Sequence, residues 1–318
     1  MKKFNTIIRR LALATLLLFT GNSMFAQNIE LNPSTKSTNI SESSFKGFQS
    51  TFSFNKIETM KMKTEAGDFS ALSISKTINA GEIGAPSLPI ARELVAVPFG
   101  ATPVVKVVSF TTTDYELSDY GIERVYPQQP SYSKSAKTED MIFHYNEKAY
   151  QTRSLGTAPE VVFEVLGTMR GIQIGALQVE PVSYNPANNT IRVYNDIQLE
   201  VIFENADYAL TEQRLVESYS PYFDVVYKQL FNSRAIEDVY DEHPDLYSVP
   251  VKMLVITNRM FEDALKPWLE WKTQKGFYVD ARYTDEIGTT SNELKEYIKE
   301  QSAVILDSAR KELVKMPD

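Results

Sequence analysis

Between Phe45 and about Glu204 the dominant period of apolar residues is two. Ile197, Leu199, Val201 and Phe203 interleave with Gln198, Glu200, Ile202 and Glu204. Phe52 and Phe54 alternate with Thr51, Ser53 and Asn55, and Met60 and Met62 with Lys61 and Lys63. Two β-branched runs, Val104 to Phe110 and Val161 to Leu166, extend the pattern. Successive side chains of a strand point to opposite faces, so this spacing predicts many short strands with one wet face. Tyr184 to Thr190 (YNPANNT) carries turn chemistry between two such runs and predicts a hairpin connection. With no helical period interrupting these strands, the expected fold class is mainly β, an antiparallel β-sandwich or barrel.

A helical spacing first emerges near residue 220. Ser220 is placed to cap, Pro221 suits the first turn, and Phe223, Val226, Tyr227 and Leu230 fall at i, i+3, i+4 and i+7. That predicts a helix ending near Asn232. Residues 235–248 (AIEDVYDEHPDLYS) carry five acidic residues and a proline and read as an exposed linker. Beyond Val249 the pattern changes. The run 251–256 (VKMLVI) is nearly continuously apolar, as in a strand covered on both faces. A helix is expected from about Met260 to Lys275, with Gly276 as its terminator and a kink or restart at Pro267. Residues 277–283 (FYVDARY) predict a second strand, and Thr290 with Glu293 makes a capping box that opens a second helix. This βαβα order reads as the start of a parallel α/β domain over 249–318. It is expected to be truncated, because such a unit alone leaves sheet edges open.

The N-terminus has its own pattern. Lys2, Lys3, Arg9 and Arg10 precede the apolar run Leu11 to Thr20 and the small and polar stretch Gly21 to Ala26. That is the layout of a secretory signal peptide over 1–26, cut between Ala26 and Gln27. Nothing else approaches the roughly 20 apolar residues of a membrane-spanning helix. Residues 27–44 are polar and aperiodic and read as a flexible tail. The predicted organisation is therefore 1–26, 27–44, 45–234, 235–248 and 249–318.

Composition narrows the chemistry. At roughly 150 residues per domain, 318 residues agree with two domains. Lys and Arg number 33 against 41 Asp and Glu, a formal charge of −8, so no nucleic-acid partner is expected. The absence of cysteine removes disulfides, thiolate metal sites and a thiol nucleophile from this chain. Only His144 and His243 are present, too few for a multi-histidine metal centre. Asp241, Glu242 and His243 read as solvated linker, because no second ligand cluster sits at a useful spacing; no metal and no cofactor is expected. His144, in a strand-like MIFHY, reads as a packed or edge histidine. Lys134 lies in a Pro- and Ser-rich loop, 128–138 (QQPSYSKSAKT), and by composition alone is a solvated surface lysine. Arg234 stands where the two patterns meet. It reads either as a point where a protease would cut or as a helix-end arginine beside the negative end of the helix dipole.

Several long blocks carry a resemblance. They include 81–107 (GEIGAPSLPIARELVAVPFGATPVVKV), 166–186 (LGTMRGIQIGALQVEPVSYNP), 220–232 (SPYFDVVYKQLFN), 245–256 (DLYSVPVKMLVI) and 264–286 (ALKPWLEWKTQKGFYVDARYTDE). Over roughly residues 45 to 300 the chain resembles the pro-region and the start of the catalytic domain of the gingipains, secreted caspase-like cysteine peptidases, and is most similar to their lysine-specific members.

The resemblance implies a zymogen order: signal peptide, β-sandwich propeptide, processing site, α/β peptidase domain. It implies a protein exported to the surroundings, the periplasm or the surface of a bacterium with two membranes. It implies that a propeptide loop lays a basic residue into the specificity pocket of the cognate peptidase. For a lysine-selective enzyme that residue is Lys134, with Lys137 as runner-up in the same loop. It further implies that a processing protease releases the propeptide at the Arg234–Ala235 bond. The family's catalytic Cys and His have no counterpart here, and the family's calcium belongs to the complete catalytic domain, for which no ligand set is recognisable. From about Lys299 the sequence departs from the family pattern, and residues 303–315 read as a helix. The expected function is thus inhibitor and folding chaperone of a cognate lysine-specific cysteine peptidase, without catalytic residues of its own. The alternatives are a piece of a full peptidase zymogen and an unrelated β-sandwich binding module.

Overall fold

The computed structural model describes residues 28–34, 37–135, 137, 141–220, 222–243 and 252–301. The segment expected to be a signal peptide with its Ala26–Gln27 junction, Pro221, residues 244–251 and the helix expected over 303–315 lie outside the described residues.

Antiparallel β-structure is the predominant regular structure among the described residues. Strands β1 (Ile29–Glu30), β4 (Lys56–Thr64) and β5 (Gly67–Ser73) form one sheet in the order β1-β4-β5. A second sheet is ordered β6-β7-β10-β9, from Thr77–Ala80, Leu88–Val97, Ile172–Glu180 and Glu160–Met169. A third runs β11-β12-β3-β2, from Val182–Asn185, Thr190–Glu204, Gly47–Phe52 and Asn39–Ser44, with β8 (Thr102–Glu116) also pairing β12.

Strand β12 shows how period two becomes core. Ile197, Leu199, Val201 and Phe203 are buried, while Gln198, Ile202 and Glu204 are exposed. Its register against β3 sets Ile197 opposite Phe52 and Val201 opposite Phe48, so both strands turn their apolar residues to the same face. The 184–190 hairpin forms as the pattern predicts. Asn185 pairs with Thr190, the Asn185 carboxamide oxygen accepts from Ala187 N at 3.1 Å, and Asn189 takes a positive φ of 53°. In β4 the phase is the reverse of the expected one: Ile57 and Thr59 are buried and Met60 is exposed.

The described residues of the stretch expected as a flexible tail over 27–44, namely 28–34 and 37–44, are ordered against the sheets. Ile29 and Leu31 are buried, β1 pairs β4, β2 pairs β3, and the Asp196 carboxylate accepts from Ser34 N at 2.8 Å. Two apolar residues suffice to seat β1, each contributing about 2 kcal/mol by burial. The polar strand β2 is held by backbone ladder bonds that composition does not register. At the crossing of β3 and β12 the alternation breaks, because both Tyr194 and Asn195 are buried. Asn195 uses its carboxamide as a substitute strand: Phe54 N donates to its Oδ1 at 2.9 Å, and its Nδ2 donates to Phe54 O at 2.8 Å.

The described chain divides into two compact units. The first comprises residues up to Leu94, Pro103–Glu164 and Gly175–Glu204. The second comprises Val95–Thr102, Val165–Ile174 and everything from Asn205 onward. Its first helix, α1 (Tyr208–Glu217), is one the periodicity did not predict; Asp207 caps it by accepting from Leu210 N at 2.9 Å. The long helix expected over 220–232 is instead a single turn, α2 (Asp224–Tyr227), followed by tight turns up to Ser233. A further helix, α3 (Arg234–Asp241), occupies the start of the supposed linker.

The α/β pattern is borne out locally. Strand β13 (Lys252–Thr257), helix α4 (Glu262–Gln274) and strand β14 (Tyr278–Tyr283) form a parallel pair with its connecting helix. All six residues of β13 are half-exposed rather than covered on both faces, because among the described residues one neighbouring strand flanks it. Helix α4 runs unbroken through Pro267, and Gly276 follows it with a φ of 88°. After the short α5 (Thr284–Ile287), the helix α6 over 291–301 opens with the expected capping box. Glu293 N donates to Thr290 Oγ1 at 3.3 Å, and Thr290 N donates to the Glu293 carboxylate at 3.0 Å.

Two stability measurements test this account. Asn195→Ala strands the buried peptide groups of Phe54 and is expected to lower unfolding free energy by about 2–4 kcal/mol in urea titrations. Glu180 ends β10, where burial, helped by the nearby Glu160 charge, pushes its carboxyl up. The stability that such a group contributes is present below the ordinary carboxylate range and lost as pH rises through the raised value. Glu180→Gln should therefore raise the urea midpoint at neutral pH, and the gain should vanish below about pH 4.

Candidate inhibitory loop and processing segment

The loop that carries Lys134 belongs to the first unit and rises from a tightly bonded base. On one leg, Gly84 N donates to Gln128 O and Gln128 N to Ala85 O, each at 2.8 Å, while Ser87 Oγ and Gln128 Oε1 lie 2.6 Å apart. Across the base, the Gln129 carboxamide grips the opposite leg: Nε2 donates to His144 O at 2.8 Å, and His144 N donates to Oε1 at 2.9 Å. His144, expected as a packed or edge histidine, thus takes part through its backbone. Higher up, Tyr132 OH donates to Ile142 O at 3.1 Å.

Beneath the clasp lies an aromatic cluster. Phe69 meets Tyr126, Phe143, Tyr145 and Tyr150 at ring separations between 5.4 and 6.3 Å. The Arg124 guanidinium covers Phe69 at 4.3 Å and donates to Ala66 O at 3.0 Å, joining cation–π attraction to a hydrogen bond. Tyr150 OH donates to Val125 O at 2.7 Å, and burial pushes its phenol far up, so it stays a neutral donor. The loop therefore has an apolar anchor besides Tyr132, supplied by Phe143.

At the tip, Ser135 N donates to Ser133 Oγ at 3.3 Å and the two serine hydroxyls lie 2.9 Å apart. This small turn brackets Lys134, which is exposed and has no carboxylate partner among the described residues. Lys137 is exposed as well; Ala136 and residues 138–140 lie outside the described residues.

Arg234 belongs to the second unit and is in the opposite electrostatic condition. As the first residue of α3 it faces Glu237, Asp238 and Asp241 of the same helix, at 3.5, 2.6 and 3.3 Å. It therefore begins a helix instead of ending one, and carboxylates rather than the negative end of a dipole hold it. Ala235 and Ile236 are buried at 2% and 1% exposure, so the linker expected from residue 235 starts as packed structure. Immediately upstream, Asn232 is fully buried. Ala96 N donates to its Oδ1 at 2.7 Å, and its Nδ2 donates to Ala96 O at 2.9 Å.

Two further contacts fix this region. The turn Arg170–Gly171 between β9 and β10 closes on the end of α1, where the Arg170 guanidinium donates to Ser218 O at 3.0 Å and covers the Phe223 ring at 4.3 Å. Gly171 is needed for that approach, since a Cβ there would stand 2.1 Å from Ser218 Oγ and 2.3 Å from Arg214 O. Gln129, Phe143 and Asn232 escaped the sequence reading. Each is an ordinary residue type whose role lies in a partner elsewhere in the chain, a peptide group for Gln129 and Asn232 and the Phe69 ring for Phe143, and no local spacing marks it.

Among the described residues no group of three or more His, Asp or Glu side chains is arranged to hold a metal ion. Nor is any helix there long and apolar enough to cross a membrane.

Comparison with known proteins adds to this geometry. The family model Propeptide_C25 matches residues 26–231. The chain is 45% identical over 295 residues to Lys-gingipain HG66 of Porphyromonas gingivalis, covering 92% of this chain and 17% of that protein. It is 24% identical over 310 residues to Gingipain R2 of the same species, covering 94% of this chain and 39% of that protein. It thus spans a minor part of the length of these relatives. The solved structure described as "Structural insight into zymogenic latency of gingipain K from Porphyromonas gingivalis" is similar at a TM-score of 0.53 and 43% identity, over 56% of this chain and 98% of that one. The fold also resembles one from the "Complex of Porphyromonas gingivalis RgpB pro- and mature domains", at a TM-score of 0.50 and 17% identity, over 63% of this chain and 100% of that one.

If the Gln129 clasp sets the loop, Gln129→Ala should raise the rate of limited proteolysis after Lys134 several-fold. The urea midpoint should move little by comparison, since the aromatic cluster below remains.

Proposed function

The chain belongs to the Propeptide_C25 family, and on that premise we propose that it is the pro-region of a gingipain-type cysteine endopeptidase, acting as inhibitor and folding chaperone of a cognate lysine-specific peptidase domain. The observation that carries this reading is Lys134: an exposed, unpaired lysine at the tip of a loop whose legs are clasped below it. A compact ammonium on a flexible stem suits a specificity pocket that presents a carboxylate, and a loop ordered in advance loses less entropy on docking. Lys137 is the second candidate in the same loop.

In this reading residues 1–26 are removed at Ala26–Gln27 during export, and residues 45–234 are the inhibitory domain. A processing protease cuts at Arg234–Ala235, separating that domain from the α/β segment. The protein acts outside the inner membrane of its bacterium, free or at the cell surface. Calcium, where it is used, is held by the complete peptidase domain. A second reading, a piece of a full zymogen, is favoured by a likeness to Lys-gingipain that covers 92% of the chain and so extends past residue 231, where the family model ends. Sequencing the gene past codon 318 decides between them, since an in-frame His and Cys would make the chain part of an enzyme.

The direct test is inhibition of a lysine-specific gingipain-type peptidase by the purified chain beside Lys134→Ala. The expected result is tight inhibition that the substitution weakens by about tenfold or more, equivalent to about 1.4 kcal/mol. Inhibition indifferent to Lys134→Ala moves the role to Lys137, and none at micromolar concentration overturns the reading.

A further inference from the structure

The Arg234–Ala235 bond lies at the first residue of helix α3, although the Arg234 side chain itself is 59% exposed. A protease binds its substrate as an extended strand, with the side chain before the scissile bond in a pocket. Here Ser233 already has helical φ and ψ of −52° and −29°, and α3 begins at Arg234. The side chain that a protease must capture is engaged by three carboxylates of its own helix. The two residues after the bond are buried, and Asn232, two residues before Arg234, is locked to the Ala96 peptide.

The far end of α3 is fastened as well. His243 Nε2 lies 3.0 Å from a Glu212 carboxylate oxygen of α1, and Tyr240 packs edge-on against Tyr219 with ring centroids 5.0 Å apart. Burial pushes the Tyr240 phenol up, so it adds no charge to this contact. The scissile bond is thus enclosed in a small cooperative unit, running from Asn232 to His243 and attached at both ends.

We propose that this unit is a latch: the Arg234–Ala235 bond is inert in the folded chain and becomes a substrate only when α3 and the turn before it detach locally. Asn232 and Ile236 hold the latch closed, and Glu237, Asp238 and Asp241 withhold the arginine from the protease. This inference rests on the processing role proposed for Arg234 and adds its regulation. When opening and closing are fast compared with cleavage, the rate follows the population of the open form. Anything that loosens α3, including a partner that draws on its acidic face, would set the moment of release.

The test compares cleavage of the full chain and of a synthetic peptide of residues 228–241 by an arginine-specific endopeptidase, read by mass spectrometry. Cleavage after Arg153, which lies exposed in an irregular segment, serves as internal reference. The peptide should be cut at residue 234 at least about a hundredfold faster than the folded chain. Ile236→Ala should accelerate the cut in the chain about tenfold or more by opening a cavity under α3. Because that variant risks a wider loss of structure, the exposed pair Asp238→Ala/Asp241→Ala is measured beside it, with a severalfold acceleration expected. Cleavage after Arg153 should stay constant, and the same substitutions in the peptide should change little. Equal rates for peptide and chain, or variants cut at the parent rate, overturn the latch. A peptide that resists cleavage at residue 234 instead overturns the processing role itself.

Discussion

A single device recurs at the places on which the structure depends: a side-chain carboxamide that bonds both the N–H and the C=O of one distant residue. Asn195 does this to Phe54, Gln129 to His144, and Asn232 to Ala96. The residues joined are 141, 15 and 136 positions apart in sequence. A carboxamide presents a donor and an acceptor side by side, as a strand edge does, and so ends a ladder where no further strand arrives. Each clasp contributes modestly while formed, about 1 kcal/mol per bond, but its loss inside the protein strands two peptide groups at once. These are therefore fixed points, and the loop that carries Lys134 and the segment that begins at Arg234 each hang from one of them.

The two basic residues of interest are held in opposite ways. The chain around Lys134 is braced from below, and among the described residues its ammonium meets no carboxylate; the hydroxyls of Ser133 and Ser135 bracket it. Arg234 is surrounded by carboxylates at the start of a helix whose next two residues are buried. The same cationic chemistry is presented in one place and withheld in the other. Exposed ion pairs of the Arg234 kind contribute little to stability, so their consequence is for access rather than for the strength of the fold.

The second unit contains elements of two kinds. The turn at Arg170–Gly171 approaches the end of α1 as closely as a residue without a side chain allows, and Arg170 adds hydrogen bonds and a ring contact there. The parallel pair β13 and β14 with α4 has a different character. Its strands are half-exposed, and Trp268, Trp271 and Phe261 of the helical segment remain 39–49% exposed. A two-stranded sheet with one helix covers too little apolar area to bury such residues.

What the sequence determined by itself was whatever repeats along the chain. Period two marked β12 and its buried face, YNPANNT marked the hairpin, Thr290 and Glu293 marked a helix start, and the long blocks such as 81–107 marked the family. Each is a local or cumulative signal, written in neighbouring residues. Only the tertiary structure decided that Ile29 and Leu31 seat a strand in a polar stretch, that β4 buries Ile57 rather than Met60, and that α3 folds where a linker was expected. It alone decided, too, that Gln129, Asn195 and Asn232 are anchors. A carboxamide looks the same in sequence whether it faces water or a peptide group 15 or 141 residues away, and only the folded chain brings that peptide group to it.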